Sequence, residues 1–304
     1  MAKTFLPIAF LRGEFLPFME ANVSIATHAL HYGTGAFWWM RSIPDPKNPN
    51  TMLLFRPMDH ARRLSKSAKF LGYEISPEHI YMTICTFLQK NKPTKPIYMR
   101  PLVYTSDLDI SPRLHDIEKD FLLYGIELGD YLSSEGVSCC FSSWMRQADV
   151  SFPLRGKITG GYITSALTKT EAKNRGFDEA IMMNHQGKVS EWSGMNIFLV
   201  RNGKIITPSV DQDILEGITR DSVIQIATSL GYEVIERPVD KTELLIADEV
   251  WLTGTAARIT PVFRIEQYDL PIDRPIMTAI KNRFDLIVQW DDEEFKGWIE
   301  RVTF

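Results

Sequence analysis

Lys157 and Tyr162 lie in a short glycine-rich run, Gly156-Lys157-Ile158-Thr159-Gly160-Gly161-Tyr162. A lysine amine forms a Schiff base with a carbonyl group once it has lost its proton, and burial beside apolar groups favours that neutral form. The glycines would let the backbone approach a ligand closely, and the phenol could hydrogen-bond to a ring oxygen. A lysine in a loop is more often simply solvated, so the run gains its meaning from the segments that accompany it.

Glu191 is a carboxylate in a segment of small and apolar residues that is typical of a core strand. A buried carboxylate is costly unless a cation or a hydrogen-bond donor accompanies it. A protonated pyridine nitrogen would be such a partner. An exposed hairpin glutamate and a structural salt bridge remain alternative interpretations.

Two further segments are typical of sites for a phosphate-sized anion. Glu216-Gly217-Ile218-Thr219 opens a helical pattern, and the N–H groups at a helix start attract anions, to which Thr219 adds a hydroxyl. Gly254-Thr255-Ala256-Ala257 is a second turn with backbone donors, and Arg63 lies off the apolar stripe of a predicted helix. Each feature alone is weak, because helix caps and solvated arginines are common.

An amine, a phenol, a carboxylate and two anion-binding segments are together what pyridoxal 5'-phosphate requires. No Walker loop, GxGxxG or GxSxG motif occurs, so neither nucleotide binding nor serine hydrolysis is predicted. The spacing of His28 and His31 would suit a metal ion, but no cysteine or carboxylate cluster accompanies them. We therefore expect no metal site and give both histidines a core or turn role.

Composition narrows the classes of protein further. The chain has 304 residues, is 44% hydrophobic and 24% charged, and carries a net charge of −4, as ordinary soluble globular proteins do. No long Lys/Arg run occurs, so nucleic acid is not expected as a partner. No window reaches about 18 uninterrupted apolar residues, so no membrane helix is predicted. The chain has three cysteines and no CxxC motif, which favours a reducing cytoplasm.

Strand and helix patterns alternate along the chain and predict an α+β protein with largely antiparallel strands. We expect an N-terminal domain over residues 1–128, a linker over 129–136 and a C-terminal domain over 137–304. The pattern also predicts a buried strand within Leu30 to Met40 that is entered through the Tyr32-Gly33-Thr34-Gly35 turn, a surface loop over 43–50 and a strand over 188–200. The other predicted elements are strands within 5–25 and at 52–55, 97–104, 121–128, 137–144, 179–184, 204–206 and 250–253, and helices at 58–71, 77–90, 163–175, 218–231 and 274–289.

These residues, in this order, resemble the branched-chain aminotransferase family of fold-type IV pyridoxal-phosphate enzymes. The resemblance spans nearly the whole chain. Besides the runs above, it is carried by Thr27 to Phe37, Phe55-Arg56, His60 to Leu64, Tyr98 to Leu102, Ser142-Ser143-Trp144 and Thr260-Pro261-Val262. It implies a smaller N-terminal α/β domain, a larger C-terminal pseudo-barrel domain, an active site at the domain interface and a homo-oligomer built from dimers.

The resemblance also implies how the cofactor is held. Lys157 would be the Schiff-base lysine and would move a proton between the substrate Cα and the cofactor. Tyr162 would hold the phenolate oxygen of the ring and Glu191 the pyridine nitrogen. The phosphate would be bound by Arg63, Ile218, Thr219 and Thr255.

The implied reaction is the transamination of hydrophobic, branched-chain L-amino acids with 2-oxoglutarate as the acceptor, so amino acids and 2-oxo acids are the expected small-molecule partners. Tyr98 and the Thr255-Ala256 backbone would take the substrate α-carboxylate, and Arg100 would help when the side chain is itself acidic. The side-chain pocket would be lined by Phe37, Tyr131 and Tyr32, the last from a neighbouring subunit.

The chain departs from the family where the substrate side chain is expected. It has Trp38-Trp39 where the family usually has Glu-Gly, and in a strand Trp39 would point the same way as Phe37. Trp192 follows Glu191 where a small residue is usual. Two alternatives therefore accompany the branched-chain reaction: a different substrate, because Trp38, Trp39 and Trp192 reshape the pocket, and a cofactor-binding homologue without enzymatic activity.

Overall fold

The structure is a computed structural model that describes residues 4–127 and 136–304. The described residues divide into two compact units. The first contains residues 4–127, 156–160 and 286–304, and the second contains 136–155 and 161–285. No helix among the described residues is long and apolar enough to cross a membrane.

The two units differ from the division expected from sequence in two segments. Residues 156–160 and 286–304, both expected in the C-terminal domain, pack within the first unit. Ile158 bridges to Ala36, and a strand at the C-terminus pairs with Asn48–Phe55. Local composition does not reveal that these two segments rejoin the first unit, because their position depends on pairing with strands far away in sequence. The expected linker over 129–136 lies outside the described residues except for Gly136.

The elements follow one another along the chain with these bounds. The strands are β1 (Ile8–Leu11), β2 (Glu14–Pro17), β3 (Gly35–Phe37), β4 (Met40–Asp45), β5 (Asn48–Phe55), β6 (Ile97–Thr105), β7 (Lys119–Glu127), β8 (Val137–Phe141), β9 (Glu179–Met183), β10 (Val189–Trp192), β11 (Asn196–Arg201), β12 (Lys204–Thr207), β13 (Val234–Glu236), β14 (Glu249–Gly254), β15 (Arg258–Ile265), β16 (Tyr268–Asp269) and β17 (Ile299–Thr303). The helices are α1 (His28–Tyr32), α2 (Pro57–Lys69), α3 (Pro77–Asn91), α4 (Tyr162–Asn174), α5 (Ile218–Ser229), α6 (Lys241–Leu245) and α7 (Pro275–Val288).

The first unit is built on an eight-stranded sheet in the order β17-β5-β4-β6-β7-β1-β2, with β3 also paired to β6. Its strand pairs are antiparallel, as the sequence predicted. The longest pair joins β6 to β7 from Ile97 opposite Glu127 to Thr105 opposite Lys119. The middle strand β6 carries Tyr98 and Arg100, so the sheet fixes the spacing of these two residues.

Helix α2 forms for the reasons visible in its sequence. Ala61, Leu64 and Ala68 recur at helical spacing and are buried, whereas Arg62 and Lys66 are exposed. The helix begins with a proline at its first position and ends close to its predicted end. Because the apolar stripe faces the unit's core, the rotation of α2 is fixed, and with it the direction of every polar side chain on the helix.

The second unit contains a nine-stranded sheet in the order β10-β9-β8-β15-β14-β11-β12-β13, with β16 also paired to β15, and it curls into a half-barrel. Most strand pairs are antiparallel, and β8 with β9, β8 with β15 and β12 with β13 are parallel. The core of this unit contains Trp192, Phe141, Ile181, Leu199 and Leu252 among its buried side chains.

Three predictions of local structure are wrong. The segment from Leu30 to Met40 is not one strand: the predicted turn is present at left-handed Gly33, but α1 extends to Tyr32 before it, and Trp38 and Trp39 separate β3 from β4. The predicted loop over 43–50 is a tight hairpin between β4 and β5, closed by the Lys47 N–H donating to Asp45 Oδ1 at 2.8 Å. The predicted strand over 188–200 is divided into β10 and β11 by a turn, which the composition did not reveal.

Candidate active site

The backbone of Lys157 is held by hydrogen bonds on both sides. The N–H of Phe37 in β3 donates to the Lys157 carbonyl at 3.0 Å. The N–H of Lys157 donates to the hydroxyl of Ser67 in α2 at 3.2 Å. The lysine therefore lies on a short strand-like segment between β3 and α2 and not in a free loop.

Two glycines let this segment lie directly against the end of α1. The Gly160 N–H donates to the Gly33 carbonyl at 2.9 Å, and a Cβ on Gly33 would be 2.7 Å from the Gly160 Cα. Gly33 also has a φ of +63°, which favours glycine. The Thr159 hydroxyl donates to the carbonyl of Gly33 and accepts from the N–H of Gly35 at 3.0 Å. Gly160 thus serves a contact with another stretch of backbone, and the approach of a ligand to these glycines stays a prediction.

The side chain of Lys157 lies among groups that decide its electrostatic surroundings. Its Nζ is 5.6 Å from the centre of the Phe37 ring. Burial, together with the charges of Arg63, Lys157 and Arg56, holds the pKa of His60 well below its usual value. His60 is therefore neutral at physiological pH and adds no further positive charge beside Lys157. Arg63, predicted to bind phosphate, lies one turn along α2 from His60.

Phe37, Trp39, Tyr98 and Arg100 form one cluster, here named the aromatic wall. The Trp39 ring stacks on Tyr98 with centroids 4.2 Å apart and packs edge-on against Phe37 at 6.2 Å. The Arg100 guanidinium carbon is 2.8 Å from the Trp39 ring centre and 4.3 Å from that of Phe37. Trp39 thus points the same way as Phe37, as predicted, and the structure brings four predicted substrate residues together.

Trp38 and Trp192 lie elsewhere, so the idea that all three tryptophans reshape the pocket is wrong for these two. Trp38 is fully buried with its ring 5.5 Å from that of His60. Trp192 is fully buried in the core of the second unit. Trp192 packs among the core side chains of this unit, whereas Glu191 contacts Arg146, Asn196 and the Leu215 N–H.

Tyr32 and Tyr131, the other residues predicted for the side-chain pocket, were assigned only by resemblance. The Tyr32 ring is partly exposed, and its hydroxyl donates to the Ile110 carbonyl. Tyr131 lies outside the described residues. His28 and His31 hydrogen-bond to the surrounding loops, His28 to the Ser111 carbonyl at 2.9 Å and His31 to the Ile25 carbonyl at 2.9 Å, in keeping with the predicted turn role.

Glu191 is buried on β10 and surrounded by donors. Its Oε1 is 2.8 Å from Nη2 of Arg146, while its Oε2 accepts from Asn196 Nδ2 at 3.2 Å and from the Leu215 N–H at 3.0 Å. The salt bridge that the sequence left open is therefore present. It places a cation beside an almost completely buried carboxylate, where an isolated charge would be costly.

The start of α5 is joined to this carboxylate. Asn196 also donates from Nδ2 to the Leu215 carbonyl at 2.9 Å, so two contacts tie Glu191 to the segment that leads into the helix. Gly217, the residue before the helix, brings no side chain to accept from the first N–H groups of Ile218 and Thr219. A Cβ on Gly217 would overlap Asn196 Oδ1, so this close approach requires glycine. An uncapped helix start beside an ordered carboxylate fits a ligand with a phosphate and a ring nitrogen.

The remaining predicted cofactor and substrate residues occupy ends of elements. Tyr162 is the first residue of α4 and is half-buried. Thr255 and Ala256 form the turn between β14 and β15, which the Thr260 hydroxyl closes by donating to the Ala257 carbonyl at 2.8 Å. These positions present backbone N–H groups and side-chain hydroxyls, which are the donors that an anion needs.

Arg146 and Asn196 are site residues that the sequence did not reveal. Arg146 follows a polar stretch after β8, where an arginine is normally solvated, and Asn196 starts β11. Only their contacts with Glu191 distinguish them from surface residues. The nearest sequence signal was the prediction that a buried Glu191 must have a cationic or donor partner.

Comparison with known proteins adds an independent line of observation. Residues 47–265 match the family described as amino-transferase class IV. The chain is 58% identical over 298 residues to a protein of Synechocystis sp. named a probable branched-chain-amino-acid aminotransferase, and the match covers 98% of each chain.

Solved structures agree with that match. The branched-chain aminotransferase of Thermoproteus uzoniensis with norvaline has a TM-score of 0.94 at 35% identity, covering 99% of this chain and 100% of that one. A T.th. branched-chain amino acid aminotransferase complexed with N-(5'-phosphopyridoxyl)-L-glutamate has a TM-score of 0.90 at 34% identity, covering 97% and 98%. These likenesses confirm the fold class expected from the sequence.

Proposed function

The chain belongs to the class IV aminotransferase family, and we propose that it transfers the amino group of branched-chain L-amino acids to 2-oxoglutarate with pyridoxal 5'-phosphate as cofactor. The observation that carries the proposal is the connected set formed by Glu191, Asn196 and the start of α5. It holds a carboxylate and an anion-binding helix start in one fixed arrangement. A relative named for this activity and solved neighbours with an amino acid or a phosphopyridoxyl compound support the choice of reaction.

The residues present fit the cofactor. Ile218, Thr219, Thr255 and Arg63 would hold its phosphate, Tyr162 its phenolate oxygen and Glu191 its ring nitrogen. When bound, the cofactor supplies an electron-withdrawing ring that accepts the electrons released when the substrate Cα loses its proton. Glu191, which pairs with Arg146 at 2.8 Å, would keep a proton on that ring nitrogen.

Lys157 would hold the cofactor through its Nζ, and the same amine would carry the proton away from and back to the substrate Cα. Both tasks need the neutral amine for part of the cycle. A neutral His60 favours the neutral amine, because it adds no positive charge to a region that already contains Arg63. The hydrogen bonds of the Lys157 carbonyl with the Phe37 N–H and of the Lys157 N–H with the Ser67 hydroxyl hold the backbone in place, so only the side chain has to move.

The aromatic wall accounts for two chemically different substrates. Phe37 and Trp39 offer apolar faces to a hydrophobic side chain, and Arg100 lies on both rings as a cation for the side-chain carboxylate of 2-oxoglutarate. Tyr98, with the Thr255-Ala256 backbone, would take the α-carboxylate that both substrates share. One surface therefore serves the amino donor and the amino acceptor in turn.

A second candidate is the same reaction with a smaller or unbranched amino donor. The position of Trp39 favours it, because the indole stacks on Tyr98 and contacts Arg100, so it fills space within the wall. Added aromatic volume excludes large side chains by steric clash. The two candidates differ in the donor and share the cofactor and the lysine.

We also propose a cytoplasmic enzyme that works as a homo-oligomer built from dimers. Cys85, Cys139 and Cys140 are all thiols, which suits a reducing compartment. The expected contribution of a neighbouring subunit's Tyr32 makes a dimer the smallest active form.

The test is a transamination assay with 2-oxoglutarate and a panel of L-amino acids, using the native protein, Lys157→Ala and Lys173→Ala. We expect L-leucine, L-isoleucine and L-valine to be donors, and Lys157→Ala to lose at least about 10⁴-fold in kcat while staying folded. Lys173 lies in the last turn of α4 and serves as the control, with unchanged rates. Turnover by Lys157→Ala at the native rate would contradict the mechanism, and activity with alanine alone would select the second candidate.

A further inference from the structure

The geometry points to Arg146 as a positioning residue: we propose that it keeps Glu191 charged and correctly oriented for the cofactor's ring nitrogen. This inference rests on the proposed function. It concerns how the chain prepares its own carboxylate before any ligand arrives.

Arg146 is held at three points, all in the second unit. Its Nη2 lies 2.8 Å from Glu191 Oε1, its Nε donates to the Asp213 carbonyl at 3.1 Å, and its backbone N–H donates to the Met183 carbonyl at 2.9 Å. The side chains of Arg146 and Glu191 are only 11% and 5% exposed. The guanidinium is therefore held at Nε by a backbone carbonyl and at Nη2 by the Glu191 carboxylate.

The other oxygen of Glu191 is oriented independently. Asn196 and the Leu215 N–H both bind Oε2, so donors on the two oxygens determine the plane of the carboxylate. Asn196 and Leu215 alone would orient the group, but neither carries a charge. Arg146 forms an ion pair with Glu191, and its positive charge compensates a negative charge on the buried carboxylate.

The chemical consequence follows from the burial. A carboxyl group buried without a cation holds its proton to a higher pH, and a protonated Glu191 could no longer keep a proton on a pyridine nitrogen. Loss of Arg146 should thus make cofactor binding depend on pH through Glu191. A purely structural arginine would instead weaken binding by the same factor at every pH.

The experiment titrates cofactor-free protein with pyridoxal 5'-phosphate from pH 6 to pH 8 and follows its absorption band. Arg146→Met should bind about tenfold or more weakly at pH 6 than at pH 8, beyond any change seen in the native protein. Arg146→Lys keeps the charge and should restore most of the native profile. In a Glu191→Gln background, Arg146→Met should change the affinity less than about twofold, because the carboxylate through which it acts is gone.

Arg237→Met is the matched control, since Arg237 pairs with the largely buried Glu243 on a part of the unit that carries none of the cofactor residues. It should leave the pH profile unchanged. If Arg146→Met does not fold, two other comparisons replace it. The Arg146→Met/Glu191→Gln protein, which lacks both charges of the pair, is compared with Glu191→Gln. Arg146→Lys is compared with the native chain.

Two results would overturn the inference. One is a loss of cofactor affinity in Arg146→Met that is the same at pH 6 and pH 8. The other is a loss of affinity on adding Arg146→Met to Glu191→Gln that equals the loss in the native background. Absence of cofactor binding by the native protein would contradict the proposed function itself, so the two failures are distinguishable.

Discussion

At the scale of single residues, Trp39 is the side chain on which the proposed substrate preference of the aromatic wall depends. Its indole occupies the middle of the wall, with Tyr98 stacked on it and Arg100 in contact with it. The position of an arginine on an aromatic face also restricts the guanidinium, so Trp39 affects the apolar and the cationic parts of the wall together.

Replacing Trp39 by glycine should widen the wall and favour large donors. We expect kcat/KM for L-leucine relative to L-alanine to rise by about tenfold, the range that one or two methylene groups in a pocket are worth. Steady-state kinetics with both donors measures the ratio. Trp144→Ala removes an exposed indole of the second unit and should leave the ratio unchanged. An unaltered ratio in Trp39→Gly would show that Trp39 does not contact the donor side chain.

The residues of the candidate site were predictable to different degrees. Lys157 and Glu191 could be found because an amine in a glycine-rich run and a carboxylate in a core strand are unusual residue types for their surroundings. Arg146 could not be found, because an arginine in a polar stretch is unremarkable until its tertiary partner is known. Trp192 was misjudged because its position next to Glu191 in sequence does not reveal that its side chain packs into the core of the second unit.

At the scale of elements, α2 and the end of α1 hold the lysine segment in place. Helix α2 carries Ser67, which accepts from the Lys157 N–H, and His60, which lies near its side chain. The α1 end crosses the same segment at Gly33 and Gly160. The helices themselves were predictable from apolar spacing, but their contact with residues 156–160 was not, since it joins parts of the chain far apart in sequence.

His60 should make the stability of the protein depend on pH. Because its pKa in the folded state is lowered, the unfolded chain takes up a proton below about pH 6.5 that the folded chain does not. The free energy of unfolding should therefore fall as the pH drops below 6.5, by up to about 1.4 kcal/mol per pH unit. In denaturant unfolding, the free energy of unfolding should fall less between pH 7.5 and pH 5 in His60→Gln than in the native protein. The exposed His115→Gln should fall as the native protein does, and an equal fall in all three would contradict the assignment.

Gly33→Ala should separate the lysine segment from the end of α1. The new Cβ would lie 2.7 Å from the Gly160 Cα, and the alanine would have to adopt a positive φ. We therefore expect a loss of stability of about 2–4 kcal/mol. Gly13→Ala is the matched control, because its φ of +82° is also positive but nothing lies within 4 Å of the added Cβ. Denaturant midpoints compare the two. A loss no greater in Gly33→Ala than in Gly13→Ala would show that the crossing tolerates a side chain.

At the scale of the whole molecule, an apolar surface on the first unit suits the proposed dimer. Ile25 and Ile110 are 86% and 85% exposed, and Leu30 on α1 is also exposed. Hydrogen bonds of His31 to the Ile25 carbonyl and of Tyr32 to the Ile110 carbonyl join these loops to α1. Exposed apolar groups collected on one surface mark an interaction site, and Tyr32 lies within it.

A charge placed on this surface should weaken the dimer. We expect Ile110→Glu to shift the protein from dimer toward monomer in light scattering at micromolar concentration, because a carboxylate would be buried without a partner. Ile272→Glu changes an equally exposed isoleucine, 88% exposed in the second unit, and should leave the mass unaltered. The same distribution of masses in both variants would place the interface elsewhere.

The central claim is that Lys157 and the set joined to Glu191 bind pyridoxal 5'-phosphate and exchange amino groups through it. The most direct measurement is the visible absorption spectrum of the cofactor-loaded protein before and after addition of L-leucine. We expect an absorption band that requires Lys157, that L-leucine converts to the band of the amine form of the cofactor, and that 2-oxoglutarate restores. A band that no amino acid changes, or no band with added cofactor, would contradict it.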